Sequence, residues 1–153
     1  MPDGLYERDA LEWAERQAGL LRRLAAGELL NEAVDWANVI EEVADVGLSE
    51  LRACQSLLTQ AMVHLLKLHA VPDSQAVAHW REEAGVFLDD AAQRFTPSMR
   101  QRITLDELYA KALRRARSLL PDAGVVLPEA CPFALTELLA GDVAGLVARA
   151  GGG

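Results

Sequence analysis

Residues 35–47 have the sequence DWANVIEEVADVG, and they decide the fold because they open a long run of helical periodicity. At about 100° per residue, the apolar side chains of this run fall on one stripe along a helix, which we expect to be buried in the core. Asp35 is placed to cap the helix, which is predicted to continue towards His69 and to end before Pro72. The stripe comprises Trp36, Ile40, Val43, Gly47, Leu51, Cys54, Leu58, Ala61 and Leu65.

Gly47 lies inside this pattern, and Ser49 follows it as a second residue able to cap a helix. A glycine in a helix interior costs about 1 kcal/mol relative to alanine, which a long helix tolerates. The pattern therefore favours one long, bent helix. A break at Gly47, which would turn every later side chain, stays open as the alternative.

Helical periodicity also dominates on both sides of this helix, and the only short run typical of a strand is at residues 125–127. Asp9 with Glu12, and Thr104 with Glu107, have capping-box spacing, which predicts two helix starts. We predict an all-α fold, an irregular antiparallel bundle of about four main helices with one or two short helices. Its core is expected to contain Trp13, Trp36 and Trp80. The helices outside the central one are predicted over roughly residues 10–26, 74–95, 104–120 and 133–139.

The length of 153 residues and the hydrophobic content of 51% are those of one globular domain with a sizeable core. We predict a single domain over residues 1–153, with residues 151–153 as a frayed tail. Cys54 and Cys131 lie far apart and in no metal-binding spacing, which favours reduced thiols in a cytoplasmic protein. The N-terminal residues lack the apolar segment of a secretory signal, and no apolar run approaches the roughly 20 residues of a membrane span.

The net charge of −8 is concentrated in the first third of the chain. Residues 1–50 contain twelve acidic residues and four arginines, whereas residues 51–153 contain eleven residues of each sign. Within the second part, residues 94–117 hold seven basic residues and two acidic ones. Such a basic cluster suits phosphate binding, but the acidic chain as a whole repels nucleic acid. We therefore expect no nucleic-acid partner, and no membrane partner either.

The helical positions opposite the stripe are polar, and they comprise Asn38, Glu41, Glu42 and Asp45. One interpretation of these residues is a solvated acidic face. The alternative is a metal-binding or acid/base enzyme, because metal sites in helical bundles use carboxylates and imidazoles that project inward. The candidate residues of that site are Asn38, Glu42, Asp45 and His64, with His79 as a further imidazole.

An enzyme is the less favoured interpretation. The chain has three histidines and no Glu-x-x-His motif, so it supplies little for a multi-histidine metal site. No elbow motif surrounds a serine or cysteine, and the scattered glycines form no phosphate- or dinucleotide-binding fingerprint, so no cofactor is expected. We predict a non-enzymatic protein-interaction module with a protein partner or a homodimer. The candidate contact residues are Glu41, Glu42 and Asp45 on the acidic face and Arg114, Arg115 and Arg117 in the basic segment.

Several short motifs also follow one another in a characteristic order. They are Asp9 to Trp13, Gln17 to Arg22, Trp36-x-Asn38-x-x-Glu41-Glu42-Val43-x-Asp45-x-Gly47, His64-Leu65-Leu66-Lys67, Trp80-Arg81 and Cys131-Pro132. In this order they resemble the bacterial family called domain of unknown function 29, over nearly the whole chain. The resemblance implies a compact, all-helical bacterial protein and supplies no activity. The chain departs from the family at Leu68-His69, where members usually carry an aromatic residue.

Overall fold

The computed structural model describes residues 3–152, and within this range its regular structure consists of helices without a strand. The all-α prediction is therefore confirmed, and four of the helices are long. The α-helices are α1 (Leu5–Arg8), α2 (Ala10–Ala25), α3 (Trp36–Ala70), α4 (Val77–Arg94), α5 (Leu105–Leu119), α6 (Leu135–Ala140) and α7 (Val143–Ala150), with 3-10 helices at Asn31–Ala33 and Pro97–Met99. Gly151 and Gly152 form a turn after α7, and Gly153 of the predicted tail lies outside the described residues.

Helix α3 has 35 residues and is continuous through Gly47, as the pattern favoured, so the alternative of a break there does not occur. A Cβ atom added to Gly47 would meet nothing within 4 Å, which means that this glycine is not needed for close packing. Among the described residues, no helix combines the length and the apolar character that crossing a membrane requires.

The chain divides into two compact units, an N-terminal unit of Met1–Ser49 and a C-terminal unit of Glu50–Gly153. The first part of α3 belongs to the N-terminal unit and the remainder to the C-terminal unit. The single domain expected over residues 1–153 stays a prediction.

The N-terminal unit is formed by α1, α2 and the first part of α3, and it buries few side chains. Asp9 caps α2 as predicted, since its Oδ1 accepts a hydrogen bond of 3.0 Å from the backbone N–H of Glu12. Between residues 3 and 49, the buried residues are Trp13, Gln17 and Val34. One of these three is polar, so the centre of this unit is not a purely hydrophobic core.

The C-terminal unit has a dense apolar core. Cys54, Leu58, Ala61 and Leu65 of the predicted stripe are completely buried there, and they pack with apolar residues of α4 and α5. Helices α3 and α4 run antiparallel, because the pair His64 and Glu83 and the pair Glu50 and Arg94 succeed each other in opposite directions along the two helices. The burial predicted for this part of the stripe agrees with the structure.

The N-terminal part of the stripe differs from the prediction. Trp36, Ile40 and Val43 were expected in the core, but all three are exposed, and Trp80 is only half-buried. The physical reason is that the first part of α3 uses its polar side to contact α1 and α2 through hydrogen bonds. Its apolar side is consequently turned towards solvent.

Candidate functional site

A cluster of hydrogen bonds around Asp35 organises the N-terminal unit. The carboxylate Oδ2 of Asp35 accepts a bond of 3.0 Å from the indole Nε1–H of Trp13 and one of 2.7 Å from the amide of Asn38. The backbone N–H of Asp35 donates to Oε1 of the buried Gln17 at 2.8 Å. The predicted site residue Asn38 therefore lies in this cluster as a donor that positions Asp35.

A second link joins α1 to α3. The hydroxyl of Tyr6 donates a hydrogen bond of 2.6 Å to Oε1 of Glu42, and the Tyr6 ring packs edge-on against Trp13 with 4.9 Å between ring centroids. Glu42 and Asp45 are half-buried, whereas Glu41 is exposed. Glu42 therefore takes part in a contact inside the unit, whereas Glu41 lies on the surface of the unit.

The pKa shifts in this cluster do not favour acid/base chemistry near neutral pH. The hydrogen bond from Asn38, reinforced by that from Trp13, lowers the pKa of Asp35 below its usual value. The hydrogen bond to Glu42 raises the pKa of Tyr6 to about 12. A general base or acid works best with a pKa near the working pH, and both groups are shifted away from it.

His64, the imidazole proposed for the same site, lies in the C-terminal unit. Asn38, Glu42 and Asp45, the other candidate residues of that site, lie in the N-terminal unit.

His64 instead shares the carboxylate of Glu83 with His79. The distance from Nε2 to the carboxylate is 2.9 Å for His64 and 3.3 Å for His79. The His64 ring is stacked on Phe87, and burial lowers its pKa, so the neutral imidazole is favoured at neutral pH. Within residues 3–152, no group of three or more His, Cys, Asp or Glu side chains is arranged to hold a metal ion.

The basic residues predicted as contact residues lie on α5. All three are exposed, and Arg117 forms an ion pair with Glu129. Arg115 also lines a cleft between α3 and α5 together with Arg52. Arg52 was not among the predicted contact residues, because it lies 63 positions before Arg115 and outside the basic segment.

The most distinctive surface of the N-terminal unit was also missed. We call it the exposed stripe, and it consists of Trp36, Ile40, Val43 and Val46, whose exposed fractions are 42%, 64%, 70% and 68%. The indole N–H of Trp36 donates to the backbone oxygen of Asn31 at 2.8 Å, which anchors this ring at one end of the stripe. The helical periodicity did identify this side of α3 as apolar, and only its burial was predicted wrongly.

Comparison with known proteins agrees with this description of the chain. The family described as "Domain of unknown function DUF29" matches residues 5–143. The chain is also similar to the crystal structure of an alpha-helical protein of unknown function from Rhodospirillum rubrum ATCC 11170, with a TM-score of 0.73 and 28% sequence identity. That similarity covers 94% of this chain and 96% of the other. No curated protein matches the chain.

Proposed function

The chain belongs to the DUF29 family, as its motifs suggested, and we propose that it is a protein-interaction module whose exposed stripe binds a helix of a partner protein. The observation that carries the proposal is the row of four apolar side chains facing solvent on the first part of α3. Contiguous apolar patches of this kind are uncommon on soluble proteins except where they bind something.

The spacing of the exposed stripe supports a helical partner. Its residues follow one another at intervals of four, three and three positions, which places them on one side of α3. This is the pattern that a helix shows where a second helix packs along it. The same side of α3 is covered by other helices in the C-terminal unit, so the periodicity is already used for helix packing there.

The polar cluster supports the orientation of the stripe. Turning the apolar side of α3 inward would break the hydrogen bonds that Asp35 and Glu42 accept from α2 and α1. Both acceptors are charged, and hydrogen bonds to charged groups are stronger than those between neutral groups, so the outward orientation is favoured in the free protein. The stripe is therefore available without a prior rearrangement of this unit.

The charge of the N-terminal unit indicates what kind of partner helix would bind the exposed stripe. Residues 1–49 hold eleven acidic residues and four arginines, a net charge of −7. A partner helix with lysine or arginine beside its apolar residues would be attracted, whereas a second N-terminal unit of the same charge would be repelled. We accordingly propose a basic amphipathic helix of another protein as the partner, and a homodimer is the competing outcome.

The setting that we propose is a bacterial cytoplasm. Cys54 and Cys131 are both free thiols, which fits a reducing compartment. The similar crystal structure comes from Rhodospirillum rubrum, a bacterium. The alternative of a metal-binding or acid/base enzyme has less support, since His64 contacts Glu83 and Phe87 within the C-terminal unit.

The test uses a double variant that carries both Ile40→Ser and Val43→Ser. Its matched control is the variant Val86→Ser. Val86 is an exposed valine on α4, so its replacement removes apolar surface outside the stripe. Each tagged protein is used to capture partners from a lysate of its host. We expect the wild-type protein and the control to retain the same partner, and the double variant to lose it while its helical content is unchanged.

Light scattering after size exclusion, at two protein concentrations, tests the homodimer. A wild-type dimer that becomes monomeric in the double variant would replace the proposed partner by a second copy of the chain. Equal capture by the wild-type protein and both variants, with all three monomeric, would contradict a binding role for the stripe.

A further inference from the structure

Two sets of three basic side chains in the C-terminal unit differ in their surroundings. Arg94, Arg117 and Arg149 form ion pairs with glutamates, so their charges are compensated within the unit. Arg52 and Arg115, by contrast, line a cleft of about 290 Å³ between α3 and α5 together with Lys111. None of the described residues that line this cleft is acidic.

The two helices place these cations in a regular way. Leu108, Lys111 and Arg115 follow one another at three and four positions on α5, so they share one side of that helix. Leu108 is buried and forms the apolar floor beside the two charges. Arg52 is supplied by α3, at the opposite side of the cleft.

The neutral groups in the cleft add hydrogen-bonding capacity. Gln55 and Ser56 line the cleft from α3, three and four positions after Arg52. The hydroxyl of Ser56 accepts a bond of 3.1 Å from Gln60, which leaves its own O–H free to donate. The side-chain amide of Gln55 offers two further N–H donors.

Three like charges around one cleft repel one another, and an anion placed between them would remove that repulsion. A phosphate group fits this environment. It carries up to two negative charges, and its oxygens accept hydrogen bonds, so that donors and cations alone can bind it. Guanidinium groups bind phosphate oxygens in pairs, and an ammonium group adds a point charge. A cleft of this size is close to the lower limit of small-molecule sites.

We propose that Arg52, Lys111 and Arg115 form a binding site for a small phosphate-bearing molecule in the cleft between α3 and α5. The site lies in the C-terminal unit and is independent of the exposed stripe. The phosphate can come from inorganic phosphate or from a phosphate monoester, whose remaining part would extend from the open side of the cleft.

The experiment is titration calorimetry with inorganic phosphate and, separately, with glycerol 3-phosphate at constant ionic strength. The variants are Arg52→Gln and Arg115→Gln, and the matched control is Arg114→Gln. Arg114 is the exposed neighbour of Arg115 on α5, so both variants change the net charge equally and differ only in position. We expect about tenfold weaker binding for each cleft variant and less than twofold change for the control, since each lost contact is a charge-assisted hydrogen bond.

Tighter binding of glycerol 3-phosphate than of inorganic phosphate identifies a monoester as the ligand, and the reverse identifies the free ion. The absence of measurable binding by the wild-type protein at millimolar ligand would overturn the proposal. So would an equal loss in the Arg114 and Arg115 variants, because it would indicate attraction by net charge alone. A short single-stranded RNA that binds more tightly than either ligand, with equal losses at both arginines, would replace the small ligand by nucleic acid.

Discussion

The two parts of α3 carry the same apolar stripe but use it differently. In the C-terminal unit, Cys54, Leu58 and Leu65 are completely buried against neighbouring helices. In the N-terminal unit, Ile40 and Val43 continue the same side of the helix and face solvent. Helical periodicity thus identifies the apolar side of a helix, whereas burial depends on which other elements are available to cover it.

The available elements differ between the two units. Helices α4 to α7 contribute apolar side chains to one core around the second part of α3. In the N-terminal unit, the side chains that contact this region include Tyr6 and Trp13. Tyr6 donates a hydrogen bond to Glu42 of α3, and Trp13 donates one to Asp35, which precedes α3. A polar contact of this kind turns the apolar side outward.

Truncation of a large side chain in each part of α3 should give the largest difference. Leu58→Ala is expected to lower the free energy of unfolding by about 2–5 kcal/mol, because it leaves a cavity in a packed core. Ile40→Ala should change it by less than about 0.5 kcal/mol, since the isoleucine is exposed. Urea denaturation followed by circular dichroism measures both values. A loss of 2 kcal/mol or more for Ile40→Ala, approaching that of Leu58→Ala, would mean that the stripe is buried in solution.

The polar cluster gives the next largest effect. Trp13→Phe removes the indole donor to the Asp35 carboxylate and should cost about 1.5–3 kcal/mol. Trp80→Phe is the control, because Trp80 is half-buried and presents its ring face to the ammonium of Lys67 at 5.0 Å, a contact that phenylalanine can partly replace. We expect less than about 1 kcal/mol for the control in the same denaturation experiment. Equal losses of unfolding free energy in the two variants would show that the destabilisation comes from the smaller ring and not from the lost hydrogen bond.

A smaller, stabilising effect is expected at Gly47. Gly47→Ala should raise the free energy of unfolding by about 0.5–1 kcal/mol, since alanine favours the helix and the new methyl group meets no neighbour. Gly27→Ala is the contrasting variant, because Gly27 has a φ angle of 98° and alanine there is strained. Thermal unfolding of both variants provides the measurement. A destabilised Gly47→Ala protein would indicate that α3 bends or breaks at this residue.

The smallest expected effect concerns the pKa values of the two tyrosines, one in each unit. The pKa of Tyr6 is raised to about 12 by its hydrogen bond to Glu42, and that of Tyr109 to about 12 by burial. Because both values are higher in the folded state, the stability that they contribute is complete below pH 10 and is lost as the pH rises towards 12. Ultraviolet titration of Tyr109→Phe reports on Tyr6 alone. Adding Glu42→Gln should return its midpoint towards the ordinary value of 10.0, and an unchanged midpoint would contradict the hydrogen bond.

Much of the fold could be predicted from the sequence, because it depends on local signals. The capping spacing at Asp9 predicted the start of α2, and the Asp9 carboxylate makes the expected hydrogen bond. Thr104 precedes α5 as predicted, although its side chain makes no capping bond. The position of α3 and its continuity also follow from periodicity, since one glycine is a small cost in a helix of 35 residues.

The candidate sites depend on long-range pairing, which a single sequence does not contain. The hydrogen bond between Tyr6 and Glu42 spans 36 positions, and it decides that the acidic side of α3 is turned inward. The cleft at Arg52 and Arg115 requires α3 and α5 to lie side by side, and no local motif indicates this. The basic segment was recognised by composition, but composition did not separate Arg115 from its ion-paired neighbour Arg117.

The length of α3 has a consequence for how its two ends open. Amide protons near its centre in the C-terminal unit are protected by a packed core, whereas those between Trp36 and Val46 depend on a unit in which three of residues 3–49 are buried. Hydrogen–deuterium exchange should therefore form a gradient along one uninterrupted helix, fastest at its N-terminal end. Slower exchange confined to that end would then report a bound partner directly, with the rest of the same helix as an internal reference.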